Sequence, residues 1–597
     1  MSVTNWVQIA AYFGVLFLLA PFLGKYLARV FDGEKHILSF LGPVERGIYR
    51  LLGIDAEGQM GWKQYLAALL AVNGLGFLLL FAILMAQKWL PLNPAKVDNM
   101  SWHLALNTAV SFVTNTNWQA YAGESGASYL SQMTGLSVQN FLSAATGFAV
   151  MLALFRGIRG RPHAAGAGVA GGAPYRTAVV DAEVGAPGSE PCIPVRRAAR
   201  LGNFWVDFTR SILYVLLPLS IILAVLLISQ GVIQNLSGYV HATTLEGKAQ
   251  ILPMGPAASQ IAIKQLGSNG GGFFGTNSAH PFENPTPFSN FLELLAILLI
   301  PAALPFTFGR MVRDRSQGYA LFAAKTAVLA IGLIAVLLSE YGYNGISGGY
   351  GSMEGKETRF GISQSALWAE ATTVVSNGSV NSMHDSFSPL GGMIPMLNIM
   401  VGEVIFGGVG AGMYGLLVFL FITVFIAGLM VGRTPEYMGK KIESREMQLS
   451  VLAVIGQTAV ILLLAAVAIA SKAGLSSLNN KGPHGLSEIL YAYSSGVGNN
   501  GSAFAGLSAN TVFYDVTMSV AILIGRYVVI VPVLAIAGSL GAKTPAPASV
   551  GTFATNNATF VVLLILTIII VAGLNFFPAL TLGPILEHFL ALKGMAF

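Results

Sequence analysis

Charge and cysteine are both scarce in this chain of 597 residues: 10% of the side chains are Asp, Glu, Lys or Arg, and Cys192 is the single cysteine. One cysteine excludes an intramolecular disulfide and a cysteine metal cluster. No G-x-x-x-x-G-K-[ST] phosphate loop and no D-K-T-G phosphorylation segment occurs, and no polar stretch is long enough for a nucleotide domain, so the chain does not use ATP by itself. No H-E-x-x-H pair is present either. Segments of about ten residues with period-2 alternation are lacking, which sets aside a membrane barrel. What the sequence holds in abundance is apolar, with 54% hydrophobic residues. This is the composition of a polytopic α-helical membrane protein.

A hydrocarbon core roughly 30 Å thick needs about 20 apolar residues per helix. Ten candidate spans meet that length, at about 6–24, 65–87, 138–155, 211–230, 288–308, 322–340, 404–432, 449–470, 512–540 and 557–577. No Lys or Arg precedes the first run, whereas Lys25 and Arg29 follow it, so it reads as a retained helix with an external N-terminus and not as a secretory signal. With ten spans the C-terminus is also external. The topology places 23 of the 33 Lys and Arg residues in the cytoplasmic loops, among them four in 310–325 that include Lys325, and nine in the external segments, as the positive-inside rule requires. The net charge of +6 is thereby accounted for without a nucleic-acid partner, since no basic patch laced with aromatics occurs.

Between spans 2 and 3, 4 and 5, 6 and 7, and 8 and 9 lie four external segments. Each carries a short helix-like piece that runs into a polar tetrapeptide. These read Thr114-Asn115-Thr116-Asn117, Ser268-Asn269-Gly270-Gly271, Ser376-Asn377-Gly378-Ser379 and Asn499-Asn500-Gly501-Ser502. One such tetrapeptide alone would be an ordinary Asn-Gly turn. Four at equivalent places form an internal repeat, with Gly270 aligned to Thr116, Gly378 and Gly501. The predicted organisation is one membrane domain: an extra N-terminal span (1–27), repeat 1 (65–156), a cytoplasmic linker (157–210), repeat 2 (211–309), repeat 3 (322–432), repeat 4 (449–540) and an extra C-terminal span (557–577). Irregular backbone at membrane depth survives only when buried in protein or lining a water-filled path. Glycine lets carbonyls turn inward without a Cβ clash, and rings of carbonyls can replace the hydration shell of a monovalent cation. A short helix ending at each loop would aim its negative C-terminal end at that ion.

The four loops, together with "GSNGGGFFGTNSAHPFENPTPFSNFLE", "MLNIMVGEVIFGGVGAGMYG" and "GRTPEYMGKKIE", resemble the potassium-translocating subunit of the bacterial Kdp-type P-type ATPase complex. That family is a relative of the Trk and Ktr systems in a superfamily of potassium transporters, and the resemblance covers nearly the whole chain. It implies a K+ selectivity filter built from the sixteen tetrapeptide residues, with Gln119 at the filter entrance. It implies an inner-membrane location, an ATPase catalytic subunit, a single-span accessory subunit and a very small hydrophobic one as partners. It also implies an intramembrane gate-like loop in the third repeat and an arginine in the fourth, both below the filter. Glu403, amid the glycines at 402, 407, 408, 410 and 412, and Arg526 are the matching central charges. A central arginine costs roughly 2.5–3.5 kcal/mol on insertion scales, so a protein interior, helix carbonyls or a wet cavity must receive it. Gly525 and Pro532 beside it suggest a broken helix. Moving one cation against the membrane potential requires about 2.3 kcal/mol per 100 mV, which is where an ATPase partner enters.

One departure from the family stands at 160–198, a Gly/Ala/Pro-rich insertion that reads as a flexible linker. Its Gly166-x-Gly168-x-x-Gly171 follows no strand, and Gly410-x-Gly412-x-x-Gly415 lies in a span, so neither is a dinucleotide site. The Gly345-Ile346-Ser347-Gly348-Gly349 match to G-x-S-x-G sits in a glycine-rich loop without the strand–turn–helix that a hydrolase needs. A secondary transporter with inverted repeats is disfavoured because all four repeats share one orientation. The nearest competing function is a Trk/Ktr-like uptake channel driven by the membrane potential.

Overall fold

The computed structural model describes residues 2–159, 200–342, 351–546 and 553–595. Cys192, the 160–198 insertion with its glycine triplet, and the Gly345–Gly349 match lie outside the described residues. Among those described, the protein is all-α except for two small antiparallel hairpins, Val240–Thr243 with Ala249–Leu252 and Glu436–Tyr437 with Lys440–Lys441.

Among the described residues, ten helices are long and apolar enough to cross a membrane: Val3–Phe31, Trp62–Trp89, Ser131–Arg159, Phe204–Ser229, Pro287–Met311, Arg315–Tyr341, Ala411–Met430, Ser444–Ala470, Val512–Ala542 and Ala558–Ala591. They are numbered here as spans 1 to 10. Burial divides them into two sets. Spans 3, 5, 7 and 9 have 83%, 78%, 72% and 61% of their most apolar stretch buried, against 28% for spans 1, 2, 8 and 10 and 39% for spans 4 and 6. The first set is therefore an inner ring, and the second presents apolar side chains such as Leu75, Leu78, Ile222, Leu338, Leu463 and Ile570 outward. Span 3 packs on span 9 and span 1 on span 5, while span 10 lies against spans 6 and 7.

Four short helices, Trp102–Val113, Ala257–Leu266, Gly361–Val375 and Gly482–Val497, each come just before a polar tetrapeptide, and each tetrapeptide is followed by an inner span. Spans of both sets begin with conventional caps: Ser2, Thr511 and Asn557 each accept a backbone N–H of the first turn.

Three sequence expectations need correction. The seventh span does not run from 404. A separate helix, Pro389–Met400, is followed by irregular backbone over 401–410, and the span proper begins at Ala411. Span 9 is not broken at Gly525 or Pro532 but runs as one helix of 31 residues. Proline is tolerated there because neighbouring helices can satisfy the freed backbone. Gly525 instead serves close packing, since a methyl group on it would fall 2.1 Å from the carbonyl oxygen of Val497. Lys325, expected in a cytoplasmic loop, lies within span 6 and is buried.

Candidate functional site

Each short helix ends in the same backbone turn. Asn115 (φ 68°), Ser268 (φ 50°), Ser376 (φ 58°) and Asn499 (φ 48°) adopt the left-handed conformation. The N–H of the next residue then reaches back five positions: Thr116 to Ser111 (2.9 Å), Asn269 to Lys264 (2.8 Å), Asn377 to Thr372 (2.9 Å) and Asn500 to Ser495 (2.9 Å). This closure satisfies carbonyls that a helix end leaves orphaned, and short polar residues are the ones that tolerate the left-handed turn.

The common turn fixes the structural register of the four loops as Asn115-Thr116-Asn117, Ser268-Asn269-Gly270, Ser376-Asn377-Gly378 and Asn499-Asn500-Gly501. Gly270 is thus equivalent to Asn117, not to Thr116 as the sequence alignment has it. The slip has a local cause. Thr114 resembles the first residue of the other tetrapeptides, but its hydroxyl still bonds the Val110 carbonyl (2.8 Å) as part of the helix end, and the turn falls one residue later.

The loops meet. A methyl group placed on Gly270 would lie 2.8 Å from the carbonyl oxygen of Thr116 and 3.0 Å from those of Asn377 and Asn500. Three carbonyl oxygens, one from the second position of each other loop, therefore converge on the second loop. Side-chain hydrogen bonds close the circle in chain order. Asn269 donates to Asn115 Oδ1 (2.5 Å), Asn377 to the Lys264 carbonyl (3.3 Å), Asn500 to the Thr372 carbonyl (3.2 Å), and Asn499 to the Thr116 hydroxyl (2.9 Å). All sixteen tetrapeptide residues are buried.

Surrounding side chains brace the loops from behind. Ser143 on span 3 donates to Asn115 Oδ1 (2.8 Å), and Asn140 pairs with Asn117. Lys264, 1% exposed, pairs with Glu283 and donates to the Gly271 carbonyl (3.0 Å). Trp368 donates to the Ser379 carbonyl (2.9 Å), and Tyr491 shares a hydrogen bond with Ser502 (2.7 Å). Tyr491 also meets His384 (2.9 Å), whose imidazole is pushed down to about 3 by burial and then by the Lys356 ammonium, and so stays neutral. Gln119 does not stand free: its carbonyl accepts the Gly272 N–H (2.8 Å) and its amide reaches the Tyr121 hydroxyl (3.1 Å).

Next to the fourth loop, Glu403 and Arg526 face each other at 3.6 Å. Glu403 lies in the irregular 401–410 segment and accepts the Gly408 N–H (2.8 Å). Both line a cavity of about 30 Å³ together with Tyr414, Gln457 and Asn499, a residue of the fourth loop. That space suits one or two water-sized occupants. The irregular segment touches span 3 so closely that a methyl group on Gly410 (φ 83°) would fall 2.1 Å from the Gly147 carbonyl oxygen. Lys325 ties this segment to the start of span 7 with hydrogen bonds to the carbonyls of Phe406 (3.2 Å) and Gly412 (3.3 Å).

Sequence reasoning missed this bracing set. A signal was available for part of it: Gln139, Asn140, Ser143 and Thr146 interrupt an otherwise apolar span, and Lys264 lies in a short helix that carries no other charge.

The family model described as "Potassium-transporting ATPase A subunit" matches residues 10–589. The chain is 54% identical to a protein of Rhodospirillum centenum, with 100% of this chain and 99% of that one aligned, and 51% identical to one of Leptospira interrogans strain Fiocruz L1-130, with both chains fully covered. It is 53% identical to one of Pseudomonas aeruginosa, over 97% of this chain and 98% of the relative. Each of these relatives is named "Potassium-transporting ATPase potassium-binding subunit". With a family match across nearly its full length and relatives this similar end to end, the chain belongs to the potassium-transporting ATPase A subunit family.

Proposed function

We propose that the four convergent loops are a K+ selectivity filter, and that the chain takes up potassium as the ion-selecting subunit of an ATP-driven complex in the inner membrane. The observation that carries the reading is the meeting of the Thr116, Asn377 and Asn500 carbonyl oxygens around Gly270. Carbonyl dipoles arranged in a ring offset the loss of an ion's water shell, and four helices ending at the ring add the negative ends of their dipoles. The organisation supports four repeats in one membrane domain, with spans 1 and 10 as additions. Glu403 and Arg526 control passage beneath the filter, a role supported by the cavity they line together with Asn499 of the fourth loop. An ATPase catalytic subunit, a single-span subunit and a very small hydrophobic subunit complete the assembly, and both termini face the outer side.

The test is potassium-stimulated ATPase activity of the purified complex, titrated with potassium, rubidium and ammonium. Gly270→Asp places a carboxylate among carbonyl oxygens, so it should lower apparent potassium affinity and relax discrimination between the three ions while assembly persists. An assembled mutant with unchanged affinities for all three would overturn the filter assignment.

A further inference from the structure

Away from the central loops, a second group of ligand-type side chains gathers where the segment after the third loop meets the short helix Gly482–Val497 and the last span. Among the described residues, Asp385, His484 and Glu488 are the one trio of His, Cys, Asp or Glu whose donor atoms all lie within 4.8 Å of one another. Asp385 Oδ1 stands 3.0 Å from His484 Nε2, close to the roughly 3.3 Å that separates two donors bound at about 2.0–2.1 Å to one tetrahedral ion. The other ring nitrogen, Nδ1, is 2.8 Å from Glu587 Oε1. A carboxylate on the far nitrogen is the arrangement that orients metal-binding imidazoles.

Two further observations concern the same carboxylates. Glu488 is fully buried, and while its Oε1 accepts from Asn480 (2.8 Å), its Oε2 has no hydrogen-bond partner. A buried carboxylate oxygen left without a donor is costly unless something positive meets it. Gly506 faces both acids: a methyl group there would lie 2.1 Å from Glu488 Oε1 and 2.6 Å from Asp385 Oδ1. Its φ is not in the left-handed region, so space, not backbone conformation, demands glycine. Phe504 stacks near the imidazole, with ring centroids 5.9 Å apart, and its carbonyl accepts the Asp385 N–H (2.8 Å).

We propose that Asp385, His484 and Glu488 form a binding site for a divalent transition-metal ion of the zinc class, with His484 Nε2, one Asp385 oxygen and one Glu488 oxygen as ligands and Glu587 fixing the imidazole. One nitrogen with two carboxylates is a donor set zinc accepts, and it leaves a position for water. Bound there, the ion fastens the segment that follows the third loop to the short helix that precedes the fourth, Gly482–Val497, with Glu587 near the end of span 10 tied in through His484. The site stands independently of the potassium reading, because none of its ligands belongs to the sixteen loop residues.

The full-length protein, stripped with chelator and held in detergent without potassium or ATP, is titrated with Zn2+ by calorimetry and with Co2+ by visible absorption. The expected result is one Zn2+ per chain and a tetrahedral-type Co2+ spectrum. Glu488→Gln, which keeps shape and removes the charge, and Gly506→Ala, which fills the space, should each weaken binding at least about tenfold. His241→Gln, on the remote hairpin, should leave it unchanged. Absence of saturable Zn2+ binding to the wild-type chain overturns the proposal, as does binding that both Glu488→Gln and Gly506→Ala leave intact.

Discussion

Gly378 and Gly501 sit at φ 85° and 88°, and a methyl group on either would fall 2.1 Å from the Asn500 carbonyl oxygen or 1.7 Å from that of Thr116. Gly270 has no positive φ, and its nearest oxygen would be 2.8 Å away. Alanine at the first two positions therefore meets both backbone strain, about 1–2 kcal/mol, and a clash, whereas at Gly270 it meets only tight contact. Gly378→Ala and Gly501→Ala should raise the potassium concentration for half-maximal ATPase activity about tenfold more than Gly270→Ala does. The reverse order would mean that loop geometry does not set affinity. Gln119→Arg should give a milder rise in the same measurement, because arginine cannot accept the Gly272 N–H and adds a positive charge beside the loop.

At the scale of elements, the short helices bury charges that only their neighbours can satisfy. Lys264 and Glu283 are 1% and 0% exposed, so Lys264→Met strands a carboxylate in the interior. Breaking one side of such a pair costs about 3–5 kcal/mol, and adding Glu283→Gln should restore most of it. Thermal unfolding in detergent checks both steps, and equal melting of the single and double variants would show that the pair carries no such penalty. Arg526→Gln should alter ion flux, or its coupling to ATP hydrolysis, in a well-assembled complex, since it removes the cation facing Glu403. Unchanged flux and coupling would reject the role given to the pair. The spans and the four loops were legible because apolar length and a recurring polar tetrapeptide are local signals. The seventh span's late start was half legible: its glycines spoke against a regular helix, but nothing local marked Ala411 as the first helical residue. The register of the first loop was not legible, because Thr114 and Asn115 are chemically alike and only the backbone turn separates them. Nor was the pairing of Glu403 with Arg526, which are joined solely by how the irregular 401–410 segment packs against span 9.

For the whole molecule, the inner ring of spans 3, 5, 7 and 9 and the outward-facing remainder follow from burial. The proposed topology, with an even number of spans and the excess of Lys and Arg in the opposite loops, has both termini on the outer side. Short epitope tags at each end should be reached by antibody in spheroplasts without permeabilisation, and protection of either tag would overturn the topology. That the four loops belong to one chain bears on how mutations will read out. In an assembly of four identical subunits a single codon change alters every quadrant at once. Here it alters one, so stepwise combination at Gly270, Gly378 and Gly501 becomes a series in which each substitution adds a lesion to one more of the proposed filter's four loops.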